Sequence, residues 1–380
     1  MYITRPPMGW NSWNTFGENI DEKMIMETAD TMVKEGLLDC GYNYLVIDDC
    51  WSLKERDENG KLVADPAKFP HGMKAVADYV HSKGLKFGMY SCAGGITCAG
   101  YPGSYQHEFD DAETFASWGV DFLKYDYCFH DGGVPGEVLY RRMGLALANC
   151  GRDILYSACN WGTDNSPEWI KTTGAHMWRS TLDILDTWSS IDKLTTQQFD
   201  KLKTNGQGCF NDMDMLVVGM NGKGNPGVVQ DDGAMTYEEY KTHFSVWSLF
   251  GSPLMLGCDI RNMTEETKSI LTNKDIIAIQ QDPGYRQPFV VRRGKFFFAS
   301  RFLDNGDIAI GVFNMEDRPV SRWEGFMNLG VCGLTRESGR TLHLKELWTG
   351  EEKDVINEIL YLDYLAPHAC KVYRASLKEI

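Results

Sequence analysis

Val120-Asp121-Phe122-Leu123-Lys124-Tyr125-Asp126 is a short apolar run that ends on charged residues, and the same grammar recurs through most of the chain. Tyr44-Leu45-Val46-Ile47 stops at Asp48-Asp49, residues 85–90 lead to Gly94-Gly95, Ile154-Leu155-Tyr156 leads to Cys159-Asn160-Trp161, and Met177-Trp178 leads to Arg179. Residues 215–218 and 254–256 are later candidates. Runs this short and apolar suit strands buried on both faces. Longer amphipathic stretches lie between them. Residues 21–38 place Ile25, Ala29, Met32 and Gly36 on one stripe, with Asp21 positioned to cap the start. Residues 73–83, 112–118, 137–148 and 237–249 read similarly. Repeated strand–helix alternation implies a parallel sheet, and about eight strands suit a closed (β/α)8 TIM barrel, here over residues 1–285.

The grammar changes after Asp282-Pro283-Gly284. Phe289-Val290-Val291, residues 295–301 and residues 307–313 are β-branched or aromatic runs, separated by Arg293-Gly294 and Asp304-Asn305-Gly306. The second separator is a strong hairpin signal. Residues 286–380 are therefore expected to form an antiparallel β domain, a sandwich without obvious chemistry of its own.

Composition narrows the function. A net charge of -15 offers no basic surface for nucleic acid. No window holds about 18 consecutive apolar residues, so no membrane partner is expected. The start, Met1-Tyr2-Ile3-Thr4-Arg5, lacks a basic-then-apolar leader, so the expectation is cytoplasmic, or secreted if a leader was trimmed. The 11 cysteines and eight histidines form no zinc-type spacing, and no glycine-rich phosphate loop occurs, so neither metal nor cofactor is expected. Exposed faces of the β domain are compatible with a homo-oligomer, which nothing in the sequence specifies.

In a barrel, residues just beyond the C-terminal ends of the strands build the active site. Each strand-end Asp has a plain structural alternative, since such residues often cap the next helix. The same polar crowding at several strand ends is harder to explain that way. Lys124 and Asp126 are two apart, so both can face the barrel mouth, as a nucleophile with a nearby cation or as a buried ion pair. Asp48 and Asp49 can bind sugar hydroxyls or shape a turn. Arg179 and Asp183 can be site residues or a salt-bridged loop pair.

Five segments occur in a telling order: Met8-Gly9-Trp10-Asn11-Ser12-Trp13, Asp48-Asp49-Cys50-Trp51, Lys124-Tyr125-Asp126-Tyr127-Cys128, Arg179-Ser180-Thr181-Leu182-Asp183 and Asn211-Asp212-Met213-Asp214-Met215. Together they closely resemble the α-galactosidase/α-N-acetylgalactosaminidase family, glycoside hydrolase family 27 of clan D, from about residue 6 to residue 285. The resemblance implies hydrolysis of terminal α-linked galactose-type sugars with retention and without a metal. It implies Asp126 as nucleophile and Asp183 as general acid/base. Trp13, Asp48, Asp49, Tyr90, Lys124, Asn160, Trp161, Arg179 and Asp214 match positions lining the sugar site. Cys98 and Cys128 match cysteines that form a disulfide in secreted relatives, and here either redox state is open. General physics adds that Asp126 should have the lower pKa, helped by Lys124, while Asp183 is kept protonated. Asp48 and Asp49 would hold O4 and O6, and Trp13 would wall the ring.

Two positions depart from the pattern. Asn160 stands where animal α-galactosidases carry Glu and the N-acetylgalactosaminidases Ser, a position expected to face the 2-substituent. The sugar is therefore expected to be galactose, with N-acetylgalactosamine or β-L-arabinopyranose as alternatives. Cys92 stands where many relatives carry Asp, and the sequence assigns it no role. From other classes, a non-catalytic galactose-binding protein is disfavoured by the intact Asp126 and Asp183. An aldolase using neutral Lys124 is disfavoured by the adjacent carboxylate.

Overall fold

The computed structural model describes residues 2–226, 234–331, 338–355 and 358–379. Eight parallel strands lie side by side: β1 (Met8–Asn11), β2 (Tyr44–Val46), β3 (Lys86–Cys92), β4 (Phe122–Asp126), β5 (Leu155–Cys159), β6 (Met177–Arg179), β7 (Phe210–Asp212) and β8 (Leu254–Leu256). They pair in sequence order, and β1 also pairs with β8. The ring closes beyond β7, where Leu216 bridges Leu256. Leu216 N–H donates to the Met255 carbonyl at 2.7 Å, and Gly257 N–H donates to the Leu216 carbonyl at 2.9 Å.

Residues 215–218, expected as a strand, form no strand beyond that bridge; β7 lies earlier, at Phe210–Asp212. The run is fully apolar because its loop is buried: Leu216, Val217 and Val218 are inaccessible to solvent. Burial of a loop and burial of a strand leave the same mark on a sequence. The strand β1 carries the Trp and Asn of a quoted motif, and no apolar run announces it. Gly9 is required there, because a Cβ would overlap the Tyr44 carbonyl of the neighbouring strand.

Asp21 caps the first long helix (Glu22–Lys34) as expected, accepting from Met24 N–H at 2.7 Å. Its buried face is Met24, Ile25, Thr28, Ala29 and Met32. Helices at Gly72–Ser82, Glu108–Trp118, Gly136–Asn149 and Tyr237–Phe250 match the amphipathic stretches. Those at Trp188–Gln198, Glu265–Leu271 and Lys274–Gln280 were not evident in the sequence. Among the described residues no helix is long and apolar enough to cross a membrane.

Inside the barrel, Tyr44, Val46, Phe122, Leu155, Met177, Phe210 and Met255 pack into one apolar layer. Because side chains alternate along a strand, Phe122, Lys124 and Asp126 share the inward face of β4. Phe122 belongs to the apolar floor, and the two charged residues stand above it.

Parallel strands give way to antiparallel ones between Gln280 and Phe289. Strands β9 (Phe289–Arg293), β10 (Phe296–Phe302), β11 (Ile308–Asn314), β12 (Val320–Gly325), β13 (Arg340–Glu346), β14 (Glu352–Asp354), β15 (Ile359–Leu365) and β16 (Cys370–Glu379) follow. Six form one sheet in the order β14-β13-β16-β11-β10-β9, and β12 pairs with β15. The Asp304-Asn305-Gly306 turn joins β10 to β11, with Gly306 at φ 89°. Phe296, Phe298, Ile310, Val312, Leu344, Leu360 and Leu362 pack between the two sheets. The opposite face of the large sheet, with Phe297, Ala299, Ala309 and Phe313, continues the barrel core.

Candidate active site

The C-terminal ends of the barrel strands enclose one cavity. Trp13, Asp48, Asp49, Tyr90, Cys98, Lys124, Asp126, Trp161, Arg179, Asp183 and Asp214 all line it. Ten of these eleven were expected sugar-site or catalytic residues; Cys98 was expected as a disulfide partner.

On one side, Asp48 Oδ2 accepts from Lys124 Nζ at 2.9 Å and from Asn11 Nδ2 at 2.7 Å. Asp49 accepts from the Thr97 hydroxyl at 2.9 Å and from the backbone N–H groups of Cys50 and Ala99 at 2.7 and 3.1 Å. The two adjacent carboxylates take different partners, and the chain bends sharply after them, with Cys50 at φ 70°. The 94–103 loop that supplies Thr97 and Ala99 is tied to the end of β4 by a Cys98–Cys128 disulfide. Gly94 lets this loop close, since a Cβ there would overlap the Cys128 carbonyl.

At the centre, Asp126 is almost fully buried. It accepts from the Tyr90 hydroxyl at 3.1 Å and from Tyr127 N–H at 2.9 Å. On the far side, Arg179 Nη2 lies 2.6 Å from Asp183 Oδ1 and 2.8 Å from Asp214 Oδ2. The Asp183 side chain is 74% exposed, at the open rim.

The electrostatics reverse the expected order. Burial raises the Asp126 carboxyl to about 6, against the downward pull of Lys124 and the Tyr127 N–H. Asp183 lies below the usual carboxylate range: enclosure acts upward, but the Arg179 charge and hydrogen bond, helped by Lys124, outweigh it. The expectation of a low Asp126 and a high Asp183 counted Lys124 and omitted Arg179. Lys124 itself is held charged: burial opposes the charge, and Asp48 foremost, with Cys159 and Asp126, overcomes it.

Asn160 is the second correction. It is fully buried and does not line the cavity. Its amide donates to the Thr163 carbonyl at 3.0 Å, and its oxygen accepts from Gly162 N–H at 3.3 Å, so it ties its own turn. The next residue, Trp161, sits at φ 58° and presents its side chain to the cavity instead. Cys92 acquires a structural role: its buried thiol donates to the Ile96 carbonyl at 3.1 Å, inside the 94–103 loop.

The cavity also holds residues the sequence did not single out: Asn14, Ile184, Leu185, Met215, Asn225 and Pro226. Asn11, beneath Asp48, could have been found from its place inside the first motif, and it proves to be the last residue of β1. Asn225 and Pro226 carry no such signal.

A family model described as alpha galactosidase A matches residues 5–282, which is the whole barrel. The chain belongs to the α-galactosidase family. Alpha-galactosidase 3 of Arabidopsis thaliana is 52% identical over 354 residues, 92% of this chain and 76% of that protein. Alpha-galactosidase A of Cellvibrio japonicus is 46% identical over 93% of this chain and 88% of its own length. The crystal structure of α-galactosidase I from Mortierella vinacea superposes with a TM-score of 0.91 at 33% identity, covering 98% of this chain and 97% of that one. This α-galactosidase-family similarity extends past the barrel into the antiparallel sheets.

Proposed function

We propose that this chain removes terminal α-linked D-galactose from oligosaccharides or glycans by a retaining double displacement. The observation carrying the reading is the pairing of two carboxyls, Asp126 buried at the centre and Asp183 exposed at the rim, across one sugar-sized cavity. Asp126, fixed by Tyr90 and Tyr127, attacks the anomeric carbon from below. Asp183, at the open side where an aglycone leaves, protonates the departing oxygen and then activates water. A retaining enzyme holds its two carboxyls about 5–5.5 Å apart. The buried Asp48, Asp49 and Arg179 present charged acceptors and donors to the sugar hydroxyls, and a sugar that leaves them unpaired is penalised. Trp13 and Trp161 supply apolar walls.

The charge on Asp183 adds to the upward push on the Asp126 carboxyl, so the two ionisations are linked. The productive form carries one proton, placed on Asp183 when substrate is bound.

Proton NMR of the sugar released from p-nitrophenyl α-galactoside tests the mechanism. The α-anomer must appear first, and Asp126→Ala must abolish release. First appearance of the β-anomer would overturn retention. Parallel assays with the α-N-acetylgalactosaminide and the β-L-arabinopyranoside test the sugar, and binding without turnover of any would favour a lectin-like role.

A further inference from the structure

One carboxylate oxygen, Oδ2 of Asp214, accepts hydrogen bonds from residues on either side of Asp183. Arg179 Nη2 approaches it at 2.8 Å and the Ile184 backbone N–H at 2.7 Å. The other oxygen accepts from Met215 N–H at 2.8 Å. The Arg179 nitrogen that reaches Asp214 is the one that reaches Asp183. Asp183 is mostly exposed and its carboxylate is held by Arg179, and Asp214 anchors both that guanidinium and the backbone just after Asp183.

Asp214 is in turn held rigidly. Its backbone sits at φ 84°, a conformation that costs a side-chain-bearing residue about 1 kcal/mol. The fully buried Trp247 donates its indole N–H to the Asp214 carbonyl at 2.7 Å, and Asp214 N–H donates to Asp212 Oδ1 at 2.9 Å. Burial pushes the Asp214 carboxyl above the usual carboxylate range, but the Arg179 ion pair and the backbone N–H groups of Ile184 and Met215 all bond its ionised form. It therefore places a fixed negative charge on the guanidinium that would otherwise face Asp183 alone.

We propose, on the reading of the site given above, that Asp214 is a positioning residue for acid catalysis: it anchors the chain just after Asp183 and shares Arg179 with it, so that Asp183 is not left as the guanidinium's only anion and can serve the leaving oxygen. The groups facing Asp183 are Arg179 on β6, Lys124 and Asp126 on β4, Cys159 on β5 and Asp214 beyond β7. Removing the Asp214 charge leaves Asp183 before the same two cations with one anion fewer. Its hold on a proton weakens, and the loss grows with the leaving group's need for that proton.

Asn tolerates a left-handed backbone as well as Asp does, so Asp214→Asn tests the charge with the turn kept. Wild type and variant are compared on p-nitrophenyl α-galactoside, whose leaving group needs little protonation, and on melibiose, whose leaving group needs it fully. In the variant, kcat/KM should fall at least about tenfold further on melibiose than on the aryl galactoside. The alkaline limb of its pH profile should move to lower pH, and Asp214→Glu should recover part of the melibiose activity. Equal losses on both substrates with an unmoved limb, or a rise in KM alone, would mark Asp214 as a plain sugar contact and overturn the proposal. Should the Asn variant not accumulate as folded protein, the same split is read in Asp214→Gly, which removes the charge and accepts the left-handed backbone, and equal losses there overturn it too. Wild-type turnover of both galactosides checks the galactosidase reading separately.

Discussion

Lys124 Nζ lies 2.9 Å from Asp48 Oδ2, so the ammonium two residues before the proposed nucleophile makes its ion pair with a carboxylate at the end of a different strand. Asn11 Nδ2 adds a second donor to the same oxygen. One cation thus fixes a carboxylate proposed to bind the sugar and pulls down the affinity of Asp126 for a proton.

Lys124→Met removes both effects at once. It leaves the buried Asp48 without its counter-charge, which should cost about 3 kcal/mol in chemical denaturation. With the downward pull on Asp126 gone, the pair holds its protons more tightly, and the pH profile should move to higher pH. An unmoved profile in a correctly folded variant would show that Lys124 acts only through Asp48.

The Asp126–Asp183 pair needs one proton to work. Burial places Asp126 at about 6, and Arg179 keeps Asp183 low, so the pair loses its last proton as pH rises through about 6. The kcat/KM for melibiose is expected to fall above that pH. Activity that stays flat well into the alkaline range would show that bound substrate redistributes the charges more strongly than the free site implies.

Much of this site was legible because strand ends in a barrel converge whatever their separation along the chain. An apolar run stopping at Asp48-Asp49, at Lys124-Tyr125-Asp126 or at Arg179 reports both the strand and the group at its tip. Asn160 misled for a related reason: it occupies a strand end, but the left-handed turn at Trp161 carries the next side chain inward and leaves the amide to tie the turn. Side-chain direction in an irregular turn depends on φ, which no periodicity encodes. The Arg179–Asp183 ion pair was legible as one of two alternatives; the structure shows both at once, a salt-bridged loop pair that also lines the cavity.

The Cys98–Cys128 disulfide closes a 30-residue separation and anchors the loop whose Thr97 and Ala99 bond Asp49. Cys98→Ser with Cys128→Ser should lower stability by about 3.5 kcal/mol through the freed loop entropy. Because Asp49 is reached through this loop, KM for galactosides should rise several-fold more than kcat falls. A loss confined to kcat would place the effect on Asp126, which Cys128 follows by two residues.

His243 lies under the closing segment of the barrel, where its Nε2 accepts from Val217 N–H at 3.1 Å. Burial lowers its pKa to about 3, so the folded protein keeps it neutral. The unfolded chain takes up that proton near 6.5, so between about 6.5 and about 3 the unfolded state binds more protons and stability falls as pH falls. The slope from this one group approaches about 1.4 kcal/mol per pH unit. His243→Gln keeps an acceptor without a titrating ring and should flatten that part of the stability profile. Equal slopes in the two proteins would show that His243 takes up its proton in the folded state as readily as in the unfolded chain.

Asn160→Ala separates a residue that reads the sugar from one that shapes the wall. If the amide faced the 2-hydroxyl, its removal would change the preference between α-galactoside and α-N-acetylgalactosaminide. In the structure it instead bonds Thr163 and Gly162 and holds Trp161 in a left-handed conformation that a non-glycine residue adopts only when its surroundings enforce it. Removing it should loosen Trp161, raise KM for both sugars together and lower stability by about 1 kcal/mol for the lost buried bonds. The ratio of kcat/KM for the two sugars should stay within about twofold of wild type, because the wall moves for both alike. A gain on the N-acetylated sugar alone would return Asn160 to the cavity and make it the residue that selects the 2-substituent.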